Sequence, residues 1–193
     1  MIRTVRLISA FVAMGLSSAA LANKQVSVNG LGMKIEPILG YETVYRDTPS
    51  PHTATRAIYG GRVSAGVDLL ALEIEYTRGA DTENFATAPE KIYTSDEKGK
   101  VGLRSTYRFN QYFFTTGRIG CQGTRGYTET TSSDVLTRTD NPIKYNPYAG
   151  ASIGVNLGSL VSISAGSTMV FRDTSDLSKN DVQNVFSISV GIN

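Results

Sequence analysis

Hydrophobic residues recur at every second position through most of the chain, the period of a β-strand with one apolar side. The clearest stretch is 143–157. There Ile143, Tyr145, Pro147, Ala149, Ala151, Ile153, Val155 and Leu157 share one face, opposite Lys144, Asn146, Tyr148, Gly150, Ser152, Gly154 and Asn156. Pro147 removes a ladder hydrogen bond and belongs near an edge or bulge. Seven further segments alternate in the same way: 34–45, 57–68, 70–77, 101–108, 112–124, 161–171 and 182–192. Eight strands follow. Their connections alternate between long (47–56, 79–96, 126–142, 173–181) and short (Asp68-Leu69, Phe109-Asn110-Gln111, Gly158-Ser159-Leu160). That rhythm predicts an all-β fold, an eight-stranded antiparallel up-and-down meander with every long loop at one end.

Residues 1–22 interrupt the pattern. Arg3 and Arg6 precede an apolar run from Leu7 to Leu16, and Ala20-Leu21-Ala22 supplies a small-x-small cleavage site. The run is shorter than the roughly 20 residues a membrane-spanning helix needs. It reads as a signal peptide cleaved after Ala22, leaving 23–193 as a single domain. The +2 charge of the 193 residues, 19 basic against 17 acidic, then belongs to the leader, and the remainder balances at 17 against 17.

Alternation does not by itself say which face is outside. The polar face carries Gly40, Gly60, Gly66, Gly102, Gly120, Gly150, Gly154, Gly166 and Gly191. Small residues suit the narrow lumen of an eight-stranded barrel and have no purpose on a water-facing exterior. Export and the lack of long apolar helices agree with a closed barrel, the alternative to helices for spanning lipid. The reading is therefore a transmembrane β-barrel of the bacterial outer membrane, apolar outside and polar inside. Outward-facing Cys121 would be a neutral, inert thiol in lipid. Two aromatic girdles are expected: Tyr107, Phe109 and Phe113 near a short turn, and Tyr45, Tyr59, Tyr76, Tyr145 and Phe171 near the long loops.

In these features the chain resembles the small eight-stranded outer-membrane barrels, the OmpA-type and OmpX-like barrel domains, over about residues 30–193. The resemblance rests on strand pattern and signal peptide rather than on an invariant motif. It implies lipid and the barrel-assembly machinery as partners, a monomer, and four surface loops open to a surface ligand. One feature departs from the pattern. Such barrels commonly end in an aromatic residue, whereas this chain ends Val190-Gly191-Ile192-Asn193, with Phe186 the nearest aromatic.

Composition narrows the chemistry. A single Cys excludes an intramolecular disulfide framework, and one Cys with one His makes no structural zinc site. The charge balance lacks the basic stripe of a nucleic-acid binder. There is no phosphate loop or dinucleotide fingerprint, so no cofactor or metal is expected. Ser50 and His52 are neighbours in a Pro-rich loop, which is not a triad; the chain reads as a non-enzyme. The candidate site is the set of charges on the polar face: Glu36, Glu42, Arg62, Glu73, Glu75, Arg104 and Arg118. If Asp68-Leu69 is a two-residue hairpin, Arg62 lies opposite Glu75 with Glu73 diagonal. Facing lipid at midplane each Arg would cost roughly 2–4 kcal/mol, which places the set inside, paired, as a plug or as a gate. The functional reading is a structural or surface-interaction role in the cell envelope. The alternatives are a narrow porin-like channel and a soluble periplasmic lipocalin-like barrel.

Overall fold

The computed structural model describes residues 32–47, 50–86, 91–132 and 135–192; the signal segment 1–22 lies outside them. Among the described residues eight strands form one antiparallel sheet: β1 (Gly32–Arg46), β2 (His52–Val67), β3 (Leu70–Asn84), β4 (Lys91–Arg108), β5 (Phe113–Ser132), β6 (Val135–Asn156), β7 (Val161–Val170) and β8 (Asp181–Ile192). Each pairs with its neighbour in sequence, and β1 closes on β8 with Lys34 opposite Gly191 and Leu39 opposite Phe186. The chain is an eight-stranded up-and-down transmembrane β-barrel fold.

Burial follows strand parity. Leu39, Tyr59, Leu72, Ile74, Val101, Ile119, Ile153 and Phe186 stand exposed on the outer wall, while Glu36, Glu42, Arg62, Glu73, Glu75, Arg104 and Arg118 are buried inside. A soluble ligand-binding barrel requires the reverse, so the lipocalin-like alternative fails on this geometry. On β6 the outward run from Tyr145 to Val155, tilted by about 40°, stands about 25 Å tall, the height of an outer-membrane apolar band.

The short turns hold by local chemistry. Asp68-Leu69 is a two-residue link, and it needs Gly66 at φ +149°, where a Cβ would lie 2.6 Å from both Ala71 Cα and Leu70 O. The second turn spans four residues rather than three, 109–112, because Asn110 Oδ1 accepts from the backbone N–H of both Tyr112 and Phe113 at 2.8 Å. The third spans 157–160.

Three of the expected long loops are corrected. β2 begins at His52, inside the expected loop 47–56, so His52 lies on a strand end opposite Arg46 rather than in a loop. Residues 126–142 are mostly strand: β5 and β6 run on together to Ser132 and Val135, with a register shift between Thr124 and Gly126. Residues 79–96 are mostly the paired ends of β3 and β4, from Gly79 opposite Asp96 to Asn84 opposite Lys91. On β5 and β6 both faces of the extension are at least partly exposed, and on β4 Thr94 and Ser95 are buried but polar, so no hydrophobic alternation marks either stretch. The result is a four-stranded sheet, β3 to β6, projecting past the barrel at the long-loop end. Pro147 sits where β6 leaves β7, whose pairing starts at Tyr148 opposite Val170. Its carbonyl still accepts from Phe171 N at 2.9 Å.

Candidate functional site

The interior is a ladder of charges. Nearest the short-turn end, hydroxyl pairs line the lumen, Ser162 with Ser189 at 2.5 Å and Ser164 with Ser187 at 2.8 Å. Above them Arg104 Nη1 donates to Glu36 Oε2 at 2.5 Å, and Arg62 reaches the same oxygen at 3.3 Å. Arg62 also donates to Glu75, from Nε at 2.8 Å and Nη2 at 2.7 Å, the two residues being direct cross-strand partners. Arg118 spans Glu73 at 2.8 Å and Glu75 at 2.6 Å. The Tyr148 hydroxyl donates to Glu73 at 3.4 Å, and its ring lies 5.7 Å from the Arg118 guanidinium carbon and 5.8 Å from Lys100 Nζ.

Lys100 then links Glu75 to Gln183, whose amide donates to Glu42 at 2.7 Å. Glu42 also receives Lys98 and, at 3.0 Å, Arg56. Arg56 continues to Asp96 at 2.5 Å and Asp81 at 3.4 Å; Arg46 joins Asp81 at 2.7 Å and Glu83. Among the described residues seven cations meet seven carboxylates in one continuous network. The arrangement balances charge within the lumen and joins side chains from opposite walls.

All seven charges read from the sequence enter this ladder. Sequence reasoning missed Arg56, Lys98, Lys100, Gln183 and the carboxylates at the mouth. The signal was available: Lys98 and Lys100 keep the parity of Gly102 and Arg104, and Arg56 keeps that of Arg62. The predicted strands began too late, at Val101, one residue past Lys100 and three past Lys98, and at Ala57, one residue past Arg56.

His52 caps the ladder, beyond the apolar band. Its Nδ1 faces the Ser50 carbonyl at 2.6 Å and its Nε2 faces Glu83 Oε1 at 2.9 Å. Two acceptors demand two donors, so the imidazolium is the favoured form; the Ser50 carbonyl first, then Glu83, raise its pKa above the ordinary 6.5. The contact therefore contributes fully below that ordinary value and is lost as pH rises through the raised one. An NMR titration of the His52 ring is expected to show a midpoint above 6.5, moving down in Glu83→Gln. A midpoint at or below the ordinary value would refute the two-acceptor arrangement.

The aromatic residues fall at two levels. Tyr107 and Phe109 meet edge to face at 5.1 Å between centroids near a short turn, with Phe113 exposed close by. Tyr59, Tyr76 and Tyr145 project outward at the other level. Tyr45 has Lys179 Nζ 5.9 Å from its ring centroid, and Phe171 follows β7 with its backbone N–H bonded to the Pro147 carbonyl. Cys121 is exposed on the outer wall. Among the described residues no group of three or more His, Cys, Asp or Glu is arranged to hold a metal ion.

No protein-family model matches the chain, and no curated protein matches its sequence. Solved structures do match its fold. The N-terminal β-barrel domain of Pseudomonas aeruginosa OprF superposes with a TM-score of 0.56 at 10% identity, covering 83% of this chain and 97% of that one. Ail, the attachment invasion locus protein of Yersinia pestis, crystallised with the heparin analogue sucrose octasulfate, gives 0.55 at 12% identity, covering 84% and 99%. Neisserial surface protein A gives 0.52 at 10% identity, covering 85% and 99%. Strand order, closure and the inside-out distribution of polarity together give this chain the fold of the small eight-stranded outer-membrane β-barrels.

Proposed function

We propose that the chain is an outer-membrane protein, exported on a signal peptide cleaved after Ala22, whose barrel is a closed lipid anchor for a surface-interacting head. The observation that carries this reading is the charge ladder, whose ion-paired side chains reach across the lumen from opposite walls and obstruct a path for ions. The projecting β3–β6 sheet and the loops around it are then the working surface, and the aromatics at the two levels are the interfacial girdles. The chain acts as a monomer and performs no catalysis.

A narrow channel is the second reading. It is favoured by Glu36 Oε1, Thr77 Oγ1 and Arg104 Nε, buried polar atoms with no hydrogen-bond partner, which would hold water along the lumen. Planar-bilayer recording separates the two. The anchor reading expects silence from the wild-type protein and from Arg62→Ala alike. A steady conductance that is lost or enlarged in Arg62→Ala would establish gating instead. Heat-modifiable gel migration and recovery in the membrane fraction test the location, and release into the soluble periplasm would overturn it.

A further inference from the structure

We propose that the outer wall of β3–β6 holds one phosphorylated lipid, its acyl chain in a glycine-floored groove and its headgroup against Arg78 and Arg125. The inference rests on the reading of the barrel as embedded in lipid and goes beyond it by assigning a specific site.

The groove follows from register. Tyr76 pairs with Gly99, Gly99 with Gly123, and Gly123 with Tyr145, so four outward positions lie in one row across β3, β4, β5 and β6. Three inter-strand spacings separate the two tyrosines, about 14 Å. The Tyr145 ring leans over Gly123, 3.2 Å from where a Cβ would stand, while above Gly99 nothing lies within 4 Å. A pocket of about 440 Å³ results, walled by Tyr76 and Tyr145 and floored by Gly99, Gly123, Val101 and Cys121. That volume is within the range of small-ligand sites. The opposite wall is built differently: Leu39 and Phe186 face each other there as bulky outward partners.

Charge selects the occupant. The next row up is Arg78 opposite Glu97 opposite Arg125, and below it the outward positions of these strands carry no charge. Among the described residues no carboxylate lies within ion-pair distance, 4.0 Å, of either guanidinium. The carboxylates nearest along these strands, Asp81 and Asp96, point inward and are held by Arg46 and Arg56. Two free guanidiniums against one carboxylate leave a net positive rim, and guanidinium matches phosphate oxygens by paired N–H donors. An apolar slot inside the lipid band beneath a cationic rim at its boundary fits an amphiphile with an anionic head. A zwitterionic phospholipid offers the same phosphate but adds an ammonium to a rim that is already net positive, so the net-anionic lipid is preferred.

The chain contains no Trp, so one introduced Trp reports locally. Tyr145→Trp places it at the groove and Phe186→Trp on the opposite wall. Each variant of the full chain would be reconstituted in phosphatidylcholine bilayers containing either dibrominated phosphatidic acid or dibrominated phosphatidylcholine, whose bromines quench Trp on contact. The site predicts preferential quenching by phosphatidic acid at Tyr145→Trp, about fivefold in relative affinity for each arginine engaged, and no preference at Phe186→Trp. Adding Arg78→Ala and Arg125→Ala should return the groove probe to parity. Gly99→Ile, which fills the floor and keeps both arginines, should weaken the preference too. Equal preference at both probes, or a preference indifferent to the arginines, overturns the site. No quenching of either probe by any brominated lipid overturns instead the membrane reading beneath it.

Discussion

Glu75→Ala is expected to lower the urea midpoint for unfolding from lipid vesicles by the equivalent of roughly 3–5 kcal/mol, the cost of breaking a buried ion pair by removing one partner. Three cations converge on this carboxylate: Arg62 at 2.7 Å, Arg118 at 2.6 Å and Lys100. All four side chains are buried. Without Glu75 the cations face one another in a low-dielectric space with one counter-charge fewer. Arg62 and Arg118 keep a share of Glu73 and Arg62 a share of Glu36, whereas Lys100 keeps only the Gln183 carbonyl as a polar partner. Lys100→Met in the same chain should therefore restore part of the loss, because it removes the cation left without an anion. Folded fraction by heat-modifiable migration across a urea series, for the single and double variants, gives the coupling directly. An unchanged midpoint in Glu75→Ala would show that the ladder does not hold the barrel together.

The strands were legible wherever the two sides of the wall meet different solvents. Alternation placed Leu39, Tyr59, Ile74 and Ile153 outward and Glu36, Glu42, Arg62, Glu73, Glu75, Arg104 and Arg118 inward, because lipid and a polar lumen impose opposite demands at successive positions. Legibility ended where that contrast ends. Thr128, Thr130 and Thr137 lie in paired strand beyond the apolar band, yet they look like loop residues because both of their faces are wet. Arg56, Lys98 and Lys100 were lost for a related reason: an inward cation at the top of a strand looks like the start of a polar loop unless parity is carried further along the chain. The partners within the ladder were only partly accessible. Arg62 opposite Glu75 is a neighbour pair set by a two-residue turn, but Lys98 with Glu42 and Lys100 with Gln183 join walls that only barrel closure brings together.

Tyr148 was the least legible member, and the glycines beneath it carry the second large expected effect. Gly102, Gly120 and Tyr148 form one cross-strand row on the inner face of β4, β5 and β6. The phenol ring lies across the two glycines: a Cβ added at Gly120 would stand 2.8 Å from Tyr148 Cε1 and 2.6 Å from Gly102 Cα. Gly120→Ala must therefore push the ring off its seat and spread β4 from β5. Overpacking of this kind costs about 1–3 kcal/mol, and the displaced ring would also lose its bond to Glu73 and its position over Lys100 and Arg118. Gly117, on the same strand and facing outward, has nothing within 4 Å of its Cβ position. Gly117→Ala is expected to leave the urea midpoint unchanged or raise it slightly, since it only restricts the unfolded chain. The pair separates packing from strand propensity, which would move both variants in the same direction. Comparable midpoints for Gly120→Ala and Gly117→Ala would mean that the ring does not rest on Gly120, and that the lumen has free room beside the ladder.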